Sequence, residues 1–217
     1  MKIEMGESLF YSWLRHVKEC QVVQTNWKTS KQWSLQHEAE LAKVMAETKQ
    51  YFKEKYNYEI YKKTASLSQL LQQAECDALG IAIRDGKTQI YAVDVAFHEG
   101  GLLYGSKQET VMRVLVKCLR TAMCIYGYLD SKDAEIYFAS PKIYNSTLEL
   151  LVPCFEDMQN LMNTLGFSFR FGVFANTDFQ EQVLNPILQL SHDVVDTSEL
   201  FLRSYRLLQM FPSSESR

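Results

Sequence analysis

The chain reads as an α/β protein, with a mixed central sheet built on a hairpin core and helices on both faces. Three features predict it. Glu75 to Arg84 (ECDALGIAIR) and Lys87 to Glu99 (KTQIYAVDVAFHE) are strand-like and are joined by Asp85-Gly86, the dipeptide of a two-residue type I′ turn. Both faces of these strands are apolar: Leu79, Ile81 and Ile83 lie on one, and Ala78, Gly80 and Ala82 with Val93, Val95 and Phe97 lie on the other. A strand apolar on both sides belongs inside a sheet covered twice. Helix-period segments alternate with short strands on either side of the hairpin.

In chain order, Met1 to His16 is too polar for a signal sequence and reads as a short helix, with Leu9, Trp13 and Val17 on one side. Cys20 to Trp27 alternates weakly as a strand. Ser34 to about Tyr56 is a long helix, with Ser34 as N-cap and apolar residues at Leu35, Leu41, Val44, Met45, Phe52 and Tyr56. Asn57 to Tyr61 reads as a short strand and Ser66 to Ala74 as a helix capped by Ser66. After the hairpin comes a glycine-bounded loop, Gly100 to Gly105. Ser106 then caps a helix from about Lys107 to Tyr128, and Ala134 to Ser140 forms a strand closed by Pro141. Leu148 to Leu165 is helical, with Gly166 as its C-cap. Phe167 to Ala175 is an aromatic strand, Phe179 to about Leu190 and Ser198 to Met210 are helices, and residues 212–217 fray. With no repeat and no evident linker, residues 1–217 read as one domain with a core at about 34–175, the N-terminal helix and strand and the C-terminal helices being additions.

The net charge of −3 gives no overall pull toward nucleic acid, so any basic surface is local. The five cysteines form no CxxC pair and no zinc-finger spacing with histidine. Their odd number and the lack of a signal sequence point to a reducing cytoplasm. No apolar run approaches the roughly 20 residues of a membrane span. GxGxxG, Walker, GxSxG and HExxH patterns are absent, which weighs against dinucleotide, P-loop, esterase and zincin chemistry. His16 and His192 have no partner in sequence.

A two-residue turn pairs residues equidistant from it, which sets Asp77 opposite Asp94, on one face, with Cβ atoms about 5 Å apart. Like charges so placed in apolar surroundings call for a cation, a shared proton or a structural partner. The same register puts Glu75 opposite Ala96, with His98 two residues further out on that face. Glu75, Asp77, Asp94 and His98 are the candidate catalytic set. Asp77 and Asp94 are the candidate ligands of Mg²⁺ or Mn²⁺, hard cations that favour oxygen. The alternative is a satisfied structural pair, with one aspartate bonded to a helix N-terminus or to a Lys or Arg. Lys107, Arg113, Lys117 and Arg120, on the helix after the hairpin, are candidates for a nucleic-acid backbone, or else a solvated face.

From Leu70 to Ser140, the order helix, hairpin with one Asp on each strand, long helix and strand resembles the PD-(D/E)XK, or restriction-endonuclease-like, nuclease superfamily. The resemblance implies that Asp77 and Asp94 hold Mg²⁺ together with the carbonyl of Val95. The family's lysine position is here Ala96, in Asp94-Val95-Ala96. Glu75 and His98 are the nearest substitutes by register, and Lys28 or Lys107 would have to reach in from elsewhere. The implied function is metal-dependent hydrolysis of DNA or RNA phosphodiesters. The alternatives are an inactive module of the same fold that binds nucleic acid or a protein partner, and a structural subunit pairing with another protein, or with its own copy, through the strand Phe167 to Phe174.

Overall fold

The computed structural model describes residues 5–62, 64, 66–190, 194 and 197–211. His192 and residues 212–217, where fraying was expected, lie outside them. Five strands form one mixed, open sheet in the order β1 (Val22–Lys28), β2 (Glu75–Arg84), β3 (Lys87–Val95), β4 (Glu135–Ser140), β5 (Arg170–Ala175). The first three make an antiparallel meander, and β3, β4 and β5 run parallel. Parallel neighbours need crossovers. α4 (Lys107–Leu129) connects β3 to β4, and α5 (Asn145–Thr164) connects β4 to β5.

Two apolar cores lie on the two faces. On one, α2 (Glu38–Tyr56), α3 (Leu67–Gln72), α4 and α5 pack Phe52, Leu70, Leu115, Leu119 and Leu151 on Leu79, Ile90, Ile136 and Phe138. On the other, α1 (Met5–Ser12) and its π-helical continuation Trp13–Val17 pack Leu9, Phe10 and Trp13 on Ala78, Val93 and Phe174. They are joined there by Phe179 of α6 (Asn176–Phe179), Ile187 of α7 (Asn185–Leu190) and Leu202 of α8 (Leu200–Met210). α8 is clasped to α1. Ser12 Oγ donates to the buried Glu199 carboxylate at 2.6 Å, His16 Nε2 lies 2.9 Å from the same group, and the Phe201 N–H donates to Ser8 Oγ at 2.8 Å. The elements expected to be additions outside 34–175 thus build one face of the sheet.

The hairpin register is the expected one, running from Arg84↔Lys87 to Ala78↔Val93. Asp85 (φ 51°) and Gly86 (φ 73°) both take the left-handed conformation that a type I′ turn requires. The two faces are also as expected. Leu79 and Ile81 face the first core, and Ala78, Ala82, Val93 and Val95 face the second.

Four local expectations are corrected. β3 stops at Val95, not Glu99, so Glu75 does not pair with Ala96; its backbone partner is Lys28 in β1. The long helix begins at Glu38, because the Gln36 N–H is drawn to the Gly127 carbonyl (2.9 Å) and His37 takes a left-handed conformation (φ 56°). Asn57 to Tyr61 is no strand. Asn57 (φ 55°) ends α2, and the Tyr58 N–H bonds the Phe52 carbonyl, closing the helix as a turn. The aromatic strand starts at Arg170, with Phe167 and Phe169 buried ahead of it, and it is an edge of the sheet. All five cysteines are free and buried. Burial pushes the thiols of Cys20 and Cys154 up to about 11 and that of Cys124 up to about 12, so they stay protonated. Among the described residues no helix is long and apolar enough to cross a membrane.

The turn is what holds the register. Gly86→Val forces a β-branched residue into the left-handed region and is expected to cost about 1–2 kcal/mol, read as a lower urea midpoint with the slope unchanged.

Candidate active site

The hairpin ladder ends one step short of the aspartates. Asp77 Oδ2 accepts the Val95 N–H at 2.6 Å, so a carboxylate takes the next rung in place of the β2 backbone. The alternation of faces also breaks here. Asn26 of β1 sits in the left-handed region (φ 52°), and beyond it Trp27 and Cys76 turn into the first core, out of step with Val23 and Ala78. The two strands part at the point that carries the acids.

Asp94 is 2% exposed and takes both its polar contacts from α4: Lys117 Nζ at 3.0 Å from Oδ1 and Thr121 Oγ1 at 3.4 Å from Oδ2. Lys117 and Thr121 are four residues apart, hence on one side of the helix. Burial works against the Lys117 charge, but attraction to Asp94 and then Asp77 outweighs it and holds the ammonium above its ordinary range. Lys117 is therefore a fixed cation and not a base. Asp77 is half-buried. Desolvation first, and repulsion from Asp94 second, raise its carboxyl from 3.8 to about 6, against the opposing Val95 N–H bond and the Lys117 charge.

Two further groups complete the site. Glu7, only 9% exposed on the first turns of α1, accepts from Asn26 Nδ2 at 2.7 Å, and its charge adds to the upward pull on Asp77. It arrives there because Gly6 lets α1 lie against β3: a Cβ on Gly6 would sit 2.6 Å from Val95 Cγ1. Lys28 pairs with Glu75 at 2.8 Å on the exposed rim and feels Asp77 and Glu7 more weakly. Asp77, Asp94, Lys117 and Glu7 thus form the centre. Glu75 is held outward by Lys28, and His98 lies exposed beyond the end of β3, edge-on to Tyr104 with 6.0 Å between ring centroids.

The basic residues of α4 divide. Lys107 is exposed at the helix start, and Arg113 pairs with Glu109 at 2.6 Å. Lys117 serves Asp94. Arg120 has a buried Nε with no hydrogen-bond partner, and the guanidinium has no carboxylate partner among the described residues. A separate hollow of about 550 Å³ is lined by Lys49, Lys53, Tyr58 and Lys62, and its Glu59 pairs with Lys53 and Lys62. Its lining lies on α2 and the turn after it, apart from the acids.

Sequence reasoning missed Glu7 and put Lys117 on the outer stripe. The available signals were a lysine beside Val116 and Cys118 with Thr121 four residues on, and a Gly-Glu pair starting an apolar helix. Among the described residues, no three His, Cys, Asp or Glu side chains converge as metal ligands. Asp77 and Asp94 are not a ladder pair, but they are near enough to repel, and Mg²⁺ takes one or two carboxylates and completes its shell with waters and substrate phosphate.

Two stability measurements test this geometry. The folded chain holds the Asp77 proton more tightly than the unfolded one, so its contribution is most favourable below about 4 and declines as pH rises from 3.8 to about 6. Asp77→Asn, which still accepts the Val95 N–H, is expected to stabilise the protein by about 1–3 kcal/mol at pH 8 and by little near pH 4. Lys117→Met leaves Asp94 buried and uncompensated and is expected to cost about 3–5 kcal/mol, much of which Lys117→Met/Asp94→Leu restores. Chemical denaturation at both pH values reads each change. Comparison with known proteins returns no relative: no family model matches the chain, and no curated protein and no solved structure is detectably similar to it.

Proposed function

We propose that the chain is a metal-dependent nuclease, hydrolysing DNA or RNA phosphodiesters on a restriction-endonuclease-like scaffold. The observation that carries this reading is the Lys117 ammonium 3.0 Å from Asp94, beside a hairpin whose strands part at two aspartates. It supplies from α4 the cation that Ala96 does not. The topology is in keeping with the resemblance: a meander that ends in the two acid-bearing strands, a crossover helix and a parallel strand.

Asp77 and Asp94 are the residues that would hold Mg²⁺ or Mn²⁺. When bound, that ion supplies Lewis-acid polarisation of a phosphoryl oxygen and a more acidic water. The chain's own groups do the rest. In the hydrolysis, water oxygen bonds to phosphorus, its proton passes to a carboxylate, the P–O bond to the leaving oxygen breaks, and that oxygen takes up a proton. Glu7, close enough to influence Asp77, is the carboxylate we assign to the water's proton. Lys117, held protonated, offsets charge growing on the phosphoryl oxygens in a site largely shielded from water.

Plasmid nicking in Mn²⁺ tests the proposal. The expected result is metal-dependent nicking, abolished by Asp94→Ala and reduced by about 100-fold or more in Lys117→Gln, the scale of losing one charge-stabilising donor. Failure of the folded protein in Mn²⁺ to cut plasmid, single-stranded DNA and single-stranded RNA overturns it. A second reading, a nuclease-fold module that binds nucleic acid or a protein without cutting, is favoured by the absence of a third converging metal ligand among the described residues and by the neutralisation of Asp94 by Lys117. A gel shift in chelator without nicking in Mn²⁺ selects it.

A further inference from the structure

Three large apolar side chains stand in solvent just past the acids: Phe97 (44% exposed), Leu103 (54%) and Tyr144 (48%). Two loops run together over the carboxyl ends of β3 and β4, where parallel α/β sheets present their ligands; Phe97 and Leu103 lie on one, and Tyr144 ends the other. The Leu102 N–H bonds the Lys142 carbonyl at 2.9 Å, and Tyr144 Oη donates to the Gly100 carbonyl at 2.7 Å. Gly101 (φ 102°) lets the loop touch the Tyr144 ring, since a Cβ there would sit 2.8 Å from it. The rings are interleaved with cations. Lys142 Nζ lies 5.8 Å from the Tyr144 centroid, and the Arg113 guanidinium 5.4 Å from that of Tyr104, which His98 meets edge-on. Phe97 is three residues from Asp94, and a Cβ on Gly6 would lie 3.7 Å from the Phe97 Cβ, so this surface starts where α1 meets the end of β3.

We propose that this surface is a stacking platform for the unpaired bases of single-stranded DNA or RNA, which deepens the nuclease reading and rests on it. Flat apolar faces flanked by cations match a strand whose base faces are free and whose phosphates lie alongside. A duplex keeps its base faces inside its own stack and offers these rings nothing. Phe97 and Tyr144 take bases on the strand leaving the acids, and Lys142 lies beside the backbone. The substrate class is thus a single-stranded segment, either an end, a flap or a loop.

Fluorescence anisotropy with the full chain in chelator, which keeps cleavage out, decides it. The probes are an oligothymidine of about 15 nucleotides, the matching oligouridine, an abasic strand with the same phosphates, and a blunt duplex. The expected result is binding of a base-bearing strand about 10-fold or more tighter than the abasic strand and the duplex. That preference is expected to vanish in Phe97→Ala/Tyr144→Ala with the folded far-ultraviolet spectrum retained, and to persist in Tyr144→Phe, which gives up the Gly100 bond but keeps the ring. Equal affinity for base-bearing and abasic strands, a preference surviving the double substitution, or no binding of any strand overturns the proposal. Cutting in Mn²⁺ without base preference sinks the platform alone, whereas base preference without cutting of plasmid, single-stranded DNA or single-stranded RNA in Mn²⁺ sinks hydrolysis and leaves the platform standing.

Discussion

A buried carboxylate is expensive unless it is paired, and in this protein Asp94 is paired across layers, from sheet to helix. The pair fixes the rotation of α4 over β3, because Lys117 and Thr121 must both face one side chain. The same helix buries Leu115, Cys118 and Leu119 in the first core, so its apolar face and its polar anchor specify one orientation together. Asp77 has no comparable compensation. Its raised carboxyl marks energy the fold has not recovered.

Both faces of the sheet contribute to that spot. α4 reaches it from the first core with Lys117, and α1 reaches it from the second with Glu7, through the close approach that Gly6 allows. The sheet itself opens there, because Asn26 breaks the alternation of β1 and Asp77 takes a backbone rung with its side chain. Strand ends, a backbone irregularity and converging charges from opposite layers make a site held by rigid elements, with the loops left to the rim.

Much of the frame was legible from local chemistry. Asp85-Gly86 specifies its own turn, and the turn specifies the register and both faces of the hairpin. Ser66 and Ser106 cap their helices as their positions imply, accepting from Gln69 and Glu109. What stayed hidden is long-range. Glu7 comes within electrostatic reach of Asp77 through tertiary packing, and the neighbours that set Lys117 apart, Val116, Cys118 and Thr121, point to Asp94 only once α4 is docked. His98 was placed by extending a strand that stops at Val95, and Ser34 was read as a cap because the pull of Gly127 on Gln36 leaves no trace in local sequence.

The clasp between α8 and α1 has a reach beyond its own contacts. Ser8 and Ser12, which it grips, lie on the same short helix as Glu7, and α1 is only eight residues long. A helix of that length has little stability alone. Whatever loosens the C-terminal helix, such as a competing surface, would let α1 drift from Val95 and withdraw one acid from its partners. The far end of the polypeptide therefore governs how tightly the carboxylate cluster is drawn together.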